Sequence, residues 1–456
     1  MTVRQESHVG RDPLPRGWVS TAVLVGLAGV VLAAYASIGR PLWIDEFVHF
    51  ALGGLDPLEA MATIVGTTGP NVNQGQTGVY LFFDYWMMYV FGANLFMLRL
   101  PSLVSSALML WAAVVFLRLK GYGPVWGALV ILAFAAQGSF MYYAGEARPY
   151  MPLAAACVLT LAYFQFPMVE RRTWIARTFG IVGILGGALS HPYYAVYGVL
   201  IAAFSLWDAG LLSRPRAGRK DILAFVNLRL VLPAVSLYVI VGLLTWAKGR
   251  PDDPLDPWYW FGGISGGVDA FVLAHVELLQ AVQMPTAVAL LAVVLTLSVV
   301  TWTAGGQVAA APLVLIGLAV GTSLLITVAS IVGAYWVFVR QWVAGMALVA
   351  VGLVWLLAAT WTHGRRNRRI RQAVVGSLVV VTIASAGVNL VEQFTGIGVN
   401  LAYWDSLRSD PPARPVVLGR DPSNDEWVLL GNLDVAVGGS VSREVSDYYL
   451  RLKVEP

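Results

Sequence analysis

The chain has 456 residues, 58% of them hydrophobic and 12% charged, with a formal net charge of +4. A soluble domain usually carries about 25% charged residues, so this composition excludes one and describes a polytopic membrane protein. The single cysteine, Cys157, excludes an intrachain disulfide framework and a multi-cysteine metal site. The basic residues sit in short loops between apolar runs, a topological pattern that gives no sign of a nucleic-acid partner.

Residues 1–17 read as a short cytoplasmic tail. The apolar run at 18 to 38 has no small-residue cleavage site after it and reads as a retained span. Further runs long enough for a hydrocarbon core of about 30 Å lie near 101–117, 124–143, 150–166, 174–190, 192–212, 226–246, 285–303, 311–333, 341–361 and 373–390. One more, GVYLFFDYWMMYVFGAN at 78–94, carries Asp84 in mid-run and is ringed by Tyr and Trp, which favour the membrane interface. Laid in the membrane plane, it leaves Arg118 with Lys120, Arg171 to Arg177, Arg214 to Lys220 and Arg365 to Arg371 on one side. That side also holds Arg4, Arg11 and Arg16, as the positive-inside rule requires. The expected architecture is an all-α membrane domain over 18–390 with about eleven transmembrane helices. In-plane amphipathic helices belong to its first outer loop, 39–100, and a second large outer loop covers 247–284. The tail at 391–456 is net acidic, which suits export, and RPVVLGR and YYLRLKV read as strand-like pieces of a small mixed segment. It is too small for an independent core and is expected to dock on the outer loops.

The residues that carry chemistry cluster on the outer side of this topology. GRPLWIDEFVHFALGG, at 39–54, opens the first outer loop; a helix after Pro41 puts Asp45 and His49 on one face, with Phe47 and Phe50 free to lie in lipid. An Asp-Glu pair at a cavity mouth suits a general base or a metal site, while the plainer reading is a helix start that favours carboxylates. In GEARPYM, Arg148 precedes a proline and so favours extended backbone, which would project Glu146 and Arg148 together; the plainer reading is a local ion pair. His191, with Tyr193, stands in LSHPYYAVYG at the outer end of an apolar run. Arg340, in YWVFVRQW, lies at the outer junction of two long spans, where a guanidinium matches phosphate oxygens; the plainer reading is a side chain that snorkels to the headgroups. Lys248 and Arg250 open the second outer loop. GGISGG follows no strand and carries no Lys-Ser or Lys-Thr pair, so it is not a nucleotide phosphate loop.

Three pieces now stand in order: LWIDE, VFGANLFMLRLPSLVSSA and YYAGEARPYM. Together they resemble the GT-C glycosyltransferases, especially the protein O-mannosyltransferase and lipid A aminoarabinose transferase branch, over roughly residues 15 to 200. The resemblance implies an outer cavity for a polyprenyl-phosphate sugar, catalysis by Asp45 with Glu46 beside it, and substrate binding by Glu146 and Arg148. His191, Tyr193, Lys248, Arg250 and Arg340 are the further substrate-binding candidates. Many members place His-Pro-Pro or Lys-Pro before the in-plane helix, whereas this chain reads NQGQTGVY, which implies a different acceptor preference.

The expected function is inverting transfer of a sugar from a polyprenyl-phosphate donor to a lipid, glycan or protein acceptor. It takes place among membrane lipids, on the extracytoplasmic face of a prokaryotic cytoplasmic membrane. No motif demands a cofactor; a divalent metal on Asp45, Glu46 and His49 is the chemical alternative. The functional alternative is a transporter or flippase of lipid-linked sugars, although ionisable groups avoid mid-membrane positions in most of the expected spans.

Overall fold

The computed structural model describes residues 39–65, 78–212, 219–247, 263–277, 296–302, 306–332, 337–363, 368–411, 424–442 and 445–446. Among the described residues every regular element is a helix and there is no strand. This agrees with the expected all-helical membrane domain. Arg368–Ser409 runs as one helix straight through residue 390, and another helix covers Asn424–Gly438. The two strand-like stretches, 414–420 and 448–454, lie outside the described residues.

Among the described residues, four helices are long and apolar enough to cross a membrane: Leu95–Leu119, Ala309–Val332, Val339–His363 and Arg368–Ser409. A fifth candidate is the pair Pro124–Ala135 and Gly138–Ala144, bent by 82° at the break between them. Other expected spans are met by shorter helices, such as Tyr150–Gln165 with 16 residues. At 1.5 Å per residue that is about 24 Å, short of a full hydrocarbon core. Among the described residues helix length establishes four or five spans and leaves the expected eleven unconfirmed; the expected span at 18–38 and most of that at 285–303 lie outside the described residues.

Burial follows composition. Tyr150–Gln165 is apolar on all sides, and every residue of it except Pro152 and Gln165 is buried, as a core helix requires. Its neighbour Trp174–Ser190 contains a π-turn at Ile181–Leu185. There Gly183 comes so close that a Cβ on it would lie 2.8 Å from the backbone nitrogen of Thr160. Val343–His363 is likewise buried almost throughout, whereas Arg368–Ser409 lies at the periphery.

These helices give the molecule two chemically different ends. At one, Lys120 pairs with Asp208, and Arg171 donates to the carbonyls of Phe164, Phe166 and Phe225. At the other, three short helices, which we number α1 (Ile44–Leu52), α2 (Pro57–Val65) and α3 (Val79–Phe91), lie over the start of Leu95–Leu119. α3 covers most of the segment expected in the membrane plane. Asn424–Gly438 docks on this end: Asn432 accepts from Leu42 N and donates to Leu42 O, each at 2.9 Å. Trp427 and Leu430 pack into the same apolar cluster as Phe47. Phe47 and Phe50 are therefore core residues, 0% and 3% exposed, and do not face lipid. The reason is the docked C-terminal helix, whose Gly431 leaves room for the Phe47 ring.

Opposite ends should be reachable from opposite sides of a membrane. With Cys157 replaced by Ala, cysteines at Leu58 and Val169, each 84% exposed, are expected to react with an impermeant thiol reagent from different sides. Labelling of both from one side would overturn the two-ended description.

Candidate functional site

The site is built where four sequence-distant segments meet at the end capped by α1 and α3. α1 begins after Pro41 with Asp45 and Glu46 in its first turn, where carboxylates are favoured by the helix dipole. Asp45 is 6% exposed and accepts two arginines on one oxygen: Arg340 Nη1 donates to Asp45 Oδ2 at 2.6 Å, and Arg148 Nη2 pairs with the same atom. Burial alone would raise the Asp45 carboxyl, but Arg148 and Arg340 together hold it well below the usual carboxylate range.

Arg340 lies in the 3-10 turn Val339–Trp342, from which Val343–His363 starts. Trp342 Nε1 donates to Thr327 Oγ1 at 2.8 Å and ties this turn to the preceding long helix. The Arg340 guanidinium stands over the rings of Phe338, Trp43 and Tyr150, at 4.2, 5.4 and 5.6 Å from their centroids. Such an aromatic surround accommodates a buried guanidinium where water is excluded.

Glu146 and Arg148 part company. The Arg148 N–H donates to Glu146 O at 2.8 Å, closing a three-residue turn that replaces the expected extended backbone. Ser102 Oγ donates to Glu146 O at 2.6 Å and shares a 2.7 Å hydrogen bond with Tyr80 OH, so two helices pin the turn. Arg148 consequently reaches Asp45, and the local Glu146–Arg148 ion pair does not form. Glu146 is 1% exposed and neither of its carboxylate oxygens has a hydrogen-bond partner among the described residues. Burial pushes its carboxyl up to about 7, with Arg340 opposing.

Asp45, Glu46 and His49 do not converge as a metal site would require. Glu46 takes a bidentate contact from Arg99, Nε to Oε1 at 2.9 Å and Nη2 to Oε2 at 2.6 Å, and its Oε1 also accepts from Ala147 N at 3.1 Å. His49 Nδ1 shares a 2.6 Å hydrogen bond with Asp84 Oδ2. Burial lowers His49 and raises Asp84, so this pair holds its proton without net charge. No group of three His, Cys, Asp or Glu side chains able to hold a metal ion occurs among the described residues.

His191 joins the same region, its ring 5.4 Å from that of Tyr150. Burial, with Arg148 and Arg340 nearby, lowers its pKa to about 3, and its Nδ1 accepts from Tyr193 N at 3.2 Å. It is thus a neutral imidazole whose Nε2 carries the proton. Tyr193 OH pairs with Ser330 Oγ at 3.4 Å. Lys248 and Arg250 lie outside the described residues.

Comparison with solved structures finds low-identity likenesses to this chain. It is similar to ArnT from Cupriavidus metallidurans in the apo state, at 12% identity and a TM-score of 0.49, over 91% of this chain and 84% of that one. The undecaprenyl phosphate-bound form of ArnT gives 12% identity and the same TM-score of 0.49, over 96% and 89%. The Archaeoglobus fulgidus oligosaccharyltransferase in the apo form is similar at 15% identity and a TM-score of 0.43, over 94% of this chain and 60% of that one. No family model matches the chain, and no curated protein matches it.

Sequence reasoning missed Arg99 as a site-building residue and did not pair Asp84 with His49. Each had a signal: an isolated ionisable group inside an apolar run has to find a buried partner. Arg99 also donates from Nη1 to Arg40 O at 2.8 Å, so one guanidinium holds α1, its lead-in and the turn around Ala147 together through Glu46.

Proposed function

We propose that this chain is a membrane glycosyltransferase that moves a sugar, with inversion, from a polyprenyl-phosphate carrier to a hydroxyl of a lipid, glycan or protein acceptor. The proposed setting is the outer face of a prokaryotic cytoplasmic membrane. The observation that carries the reading is the convergence of Arg148 and Arg340 on Asp45: two buried cations and one carboxylate at the end of an apolar helical bundle. Such a site matches a ligand with an anionic head and an apolar tail. Arginine presents planar donors that suit phosphate oxygens.

In the proposed reaction the acceptor oxygen attacks the anomeric carbon from the face opposite the phosphate. The bond from that carbon to the phosphate oxygen breaks, and the acceptor proton passes to Asp45. General base catalysis of this kind contributes roughly 10²- to 10⁴-fold. The phosphate gains one negative charge as it departs, and Arg148 and Arg340 stabilise that charge from fixed positions. Glu146 accepts hydrogen bonds from substrate hydroxyls, while neutral His191 offers an Nε2 proton. Glu46 positions α1 through Arg99. Lys248, Arg250 and Tyr193 complete the substrate contacts in this reading.

The test is donor class. Purified full-length protein is expected to transfer sugar from a polyprenyl-phosphate donor and to ignore nucleotide sugars. Arg340→Lys should weaken donor use, because a point charge does not replace the planar fork, and Arg340→Ala should weaken it more. Transfer from a nucleotide sugar without lipid, or indifference to both substitutions, would overturn the reading.

A further inference from the structure

We propose that the Asp45 carboxylate occupies the seat of the donor phosphate, so that donor binding exchanges one anion for the other between Arg148 and Arg340 and thereby frees the base. The inference rests on the reading of these arginines as a lipid-phosphate site. It adds an order of events: donor first, acceptor second.

Three observations carry it. Both guanidinium groups spend an Nη donor on the same atom, Asp45 Oδ2, although they come from turns remote in sequence. The Nε of each arginine is buried without a hydrogen-bond partner among the described residues, so one carboxylate oxygen leaves donors on both unused. Arg148 and Arg340 are only 4% and 7% exposed, and water does not readily satisfy those donors. A polyprenyl-phosphate sugar is a phosphodiester with two charged non-bridging oxygens, and the phosphate left after transfer is a monoester with three. Either anion offers more acceptor sites to the two guanidinium groups than one carboxylate oxygen does.

The exchange also resolves a chemical difficulty. A carboxylate gripped by two arginines is a poor proton acceptor, since they stabilise its charged form. Moving them onto phosphate leaves Asp45 buried but unpaired, and burial raises a carboxyl. Donor binding thus converts Asp45 from a counter-ion into a base. Acceptor deprotonation before donor binding is suppressed by the same contacts. The step balances: no covalent bond changes in the exchange, and the proton is taken only in the transfer that follows.

The experiment measures binding of undecaprenyl phosphate to purified full-length protein in lipid nanodiscs. Asp45→Asn removes the competing anion and is expected to bind at least tenfold more tightly than the wild type, while Arg340→Ala binds more weakly. Equal or weaker binding by Asp45→Asn, with its folding verified by thermal unfolding, overturns the exchange. Should Asp45→Asn fail to fold, the wild type supplies the answer through carbodiimide modification of Asp45 read by mass spectrometry. Modification is expected to rise when undecaprenyl phosphate is added, and an unchanged or lower yield refutes the exchange. The two levels fail differently. A wild type that does not bind undecaprenyl phosphate sinks the donor reading; wild-type binding lost in Arg340→Ala but not strengthened in Asp45→Asn sinks only the exchange.

Discussion

Asp45→Asn is expected to lower turnover at least a hundredfold while the protein remains folded and keeps its donor. Asparagine preserves the shape and one oxygen, so Arg340 Nη1, now 2.6 Å from Oδ2, retains an acceptor. What disappears is the ability to take a proton, and general base catalysis is worth roughly 10²- to 10⁴-fold. Glu46→Gln tests the adjacent carboxylate and should be milder in chemistry, because Glu46 faces Arg99 and Ala147 N. The measurement is single-turnover transfer from a polyprenyl-phosphate sugar at saturating donor. A near-normal rate in Asp45→Asn would remove Asp45 from the proton-accepting role.

The parts of the site that could be read from sequence are those where residue type and position already imply a task. Asp45 in LWIDE, Arg148 before a proline and Arg340 at the mouth of a long apolar run were each expected at one end of the bundle, and the structure brings them into direct contact. What escaped was partner choice. Extended backbone at Arg148 would have paired it with Glu146; the turn closed by its own N–H sends it to Asp45 instead. The face of α1 was misjudged for a related reason, since the C-terminal helix that covers Phe47 starts almost four hundred residues away, and Asn432 meets Leu42 at a separation of 390. Local periodicity carries no information about such a contact. The count of eleven spans is not established by helix length among the described residues: an apolar run sets an upper bound on a transmembrane helix, and the run at 124–143 breaks and bends by 82°. The 42 residues of Arg368–Ser409 continue well past the length a bilayer needs.

The convergence also has an electrostatic logic. Burying Asp45, Glu46, Asp84, Arg99, Arg148 and Arg340 at one end of an apolar bundle is costly unless each charge meets a partner or is neutralised. Three arrangements deal with it. Glu46 and Arg99 cancel within one bidentate pair, His49 and Asp84 share a proton without net charge, and Asp45 stands against two cations. Only the third carries surplus positive charge, which the neighbouring Glu146, its carboxyl pushed up to about 7 by burial, offsets as far as it ionises. That surplus is where an anionic ligand gains most, and it coincides with the two guanidinium groups that keep donors unsatisfied among the described residues.

Removing Arg99 should do more damage to the fold than removing any arginine that meets Asp45. Its guanidinium is 0% exposed and supplies both donors to Glu46, besides holding the carbonyls of Arg40 and Pro41 at 2.8 and 3.3 Å. Arg99→Ala leaves a carboxylate buried without its counter-ion, an event that typically costs about 3 to 5 kcal/mol. The loss falls on the lead-in to α1 and, through Glu46 and Ala147 N, on the turn that aims Arg148. Thermal unfolding in detergent should show a clear fall in midpoint for Arg99→Ala, with turnover falling as well. The double variant Arg99→Leu, Glu46→Leu removes both charges and fills the space with apolar groups, so it should recover much of the lost stability. It should not recover full turnover, because Ala147 N loses its acceptor and the Arg148 turn loses that anchor. A single variant as stable as the wild type, or a double variant no more stable than the single, would show that the Glu46–Arg99 pair does not hold this end of the molecule together.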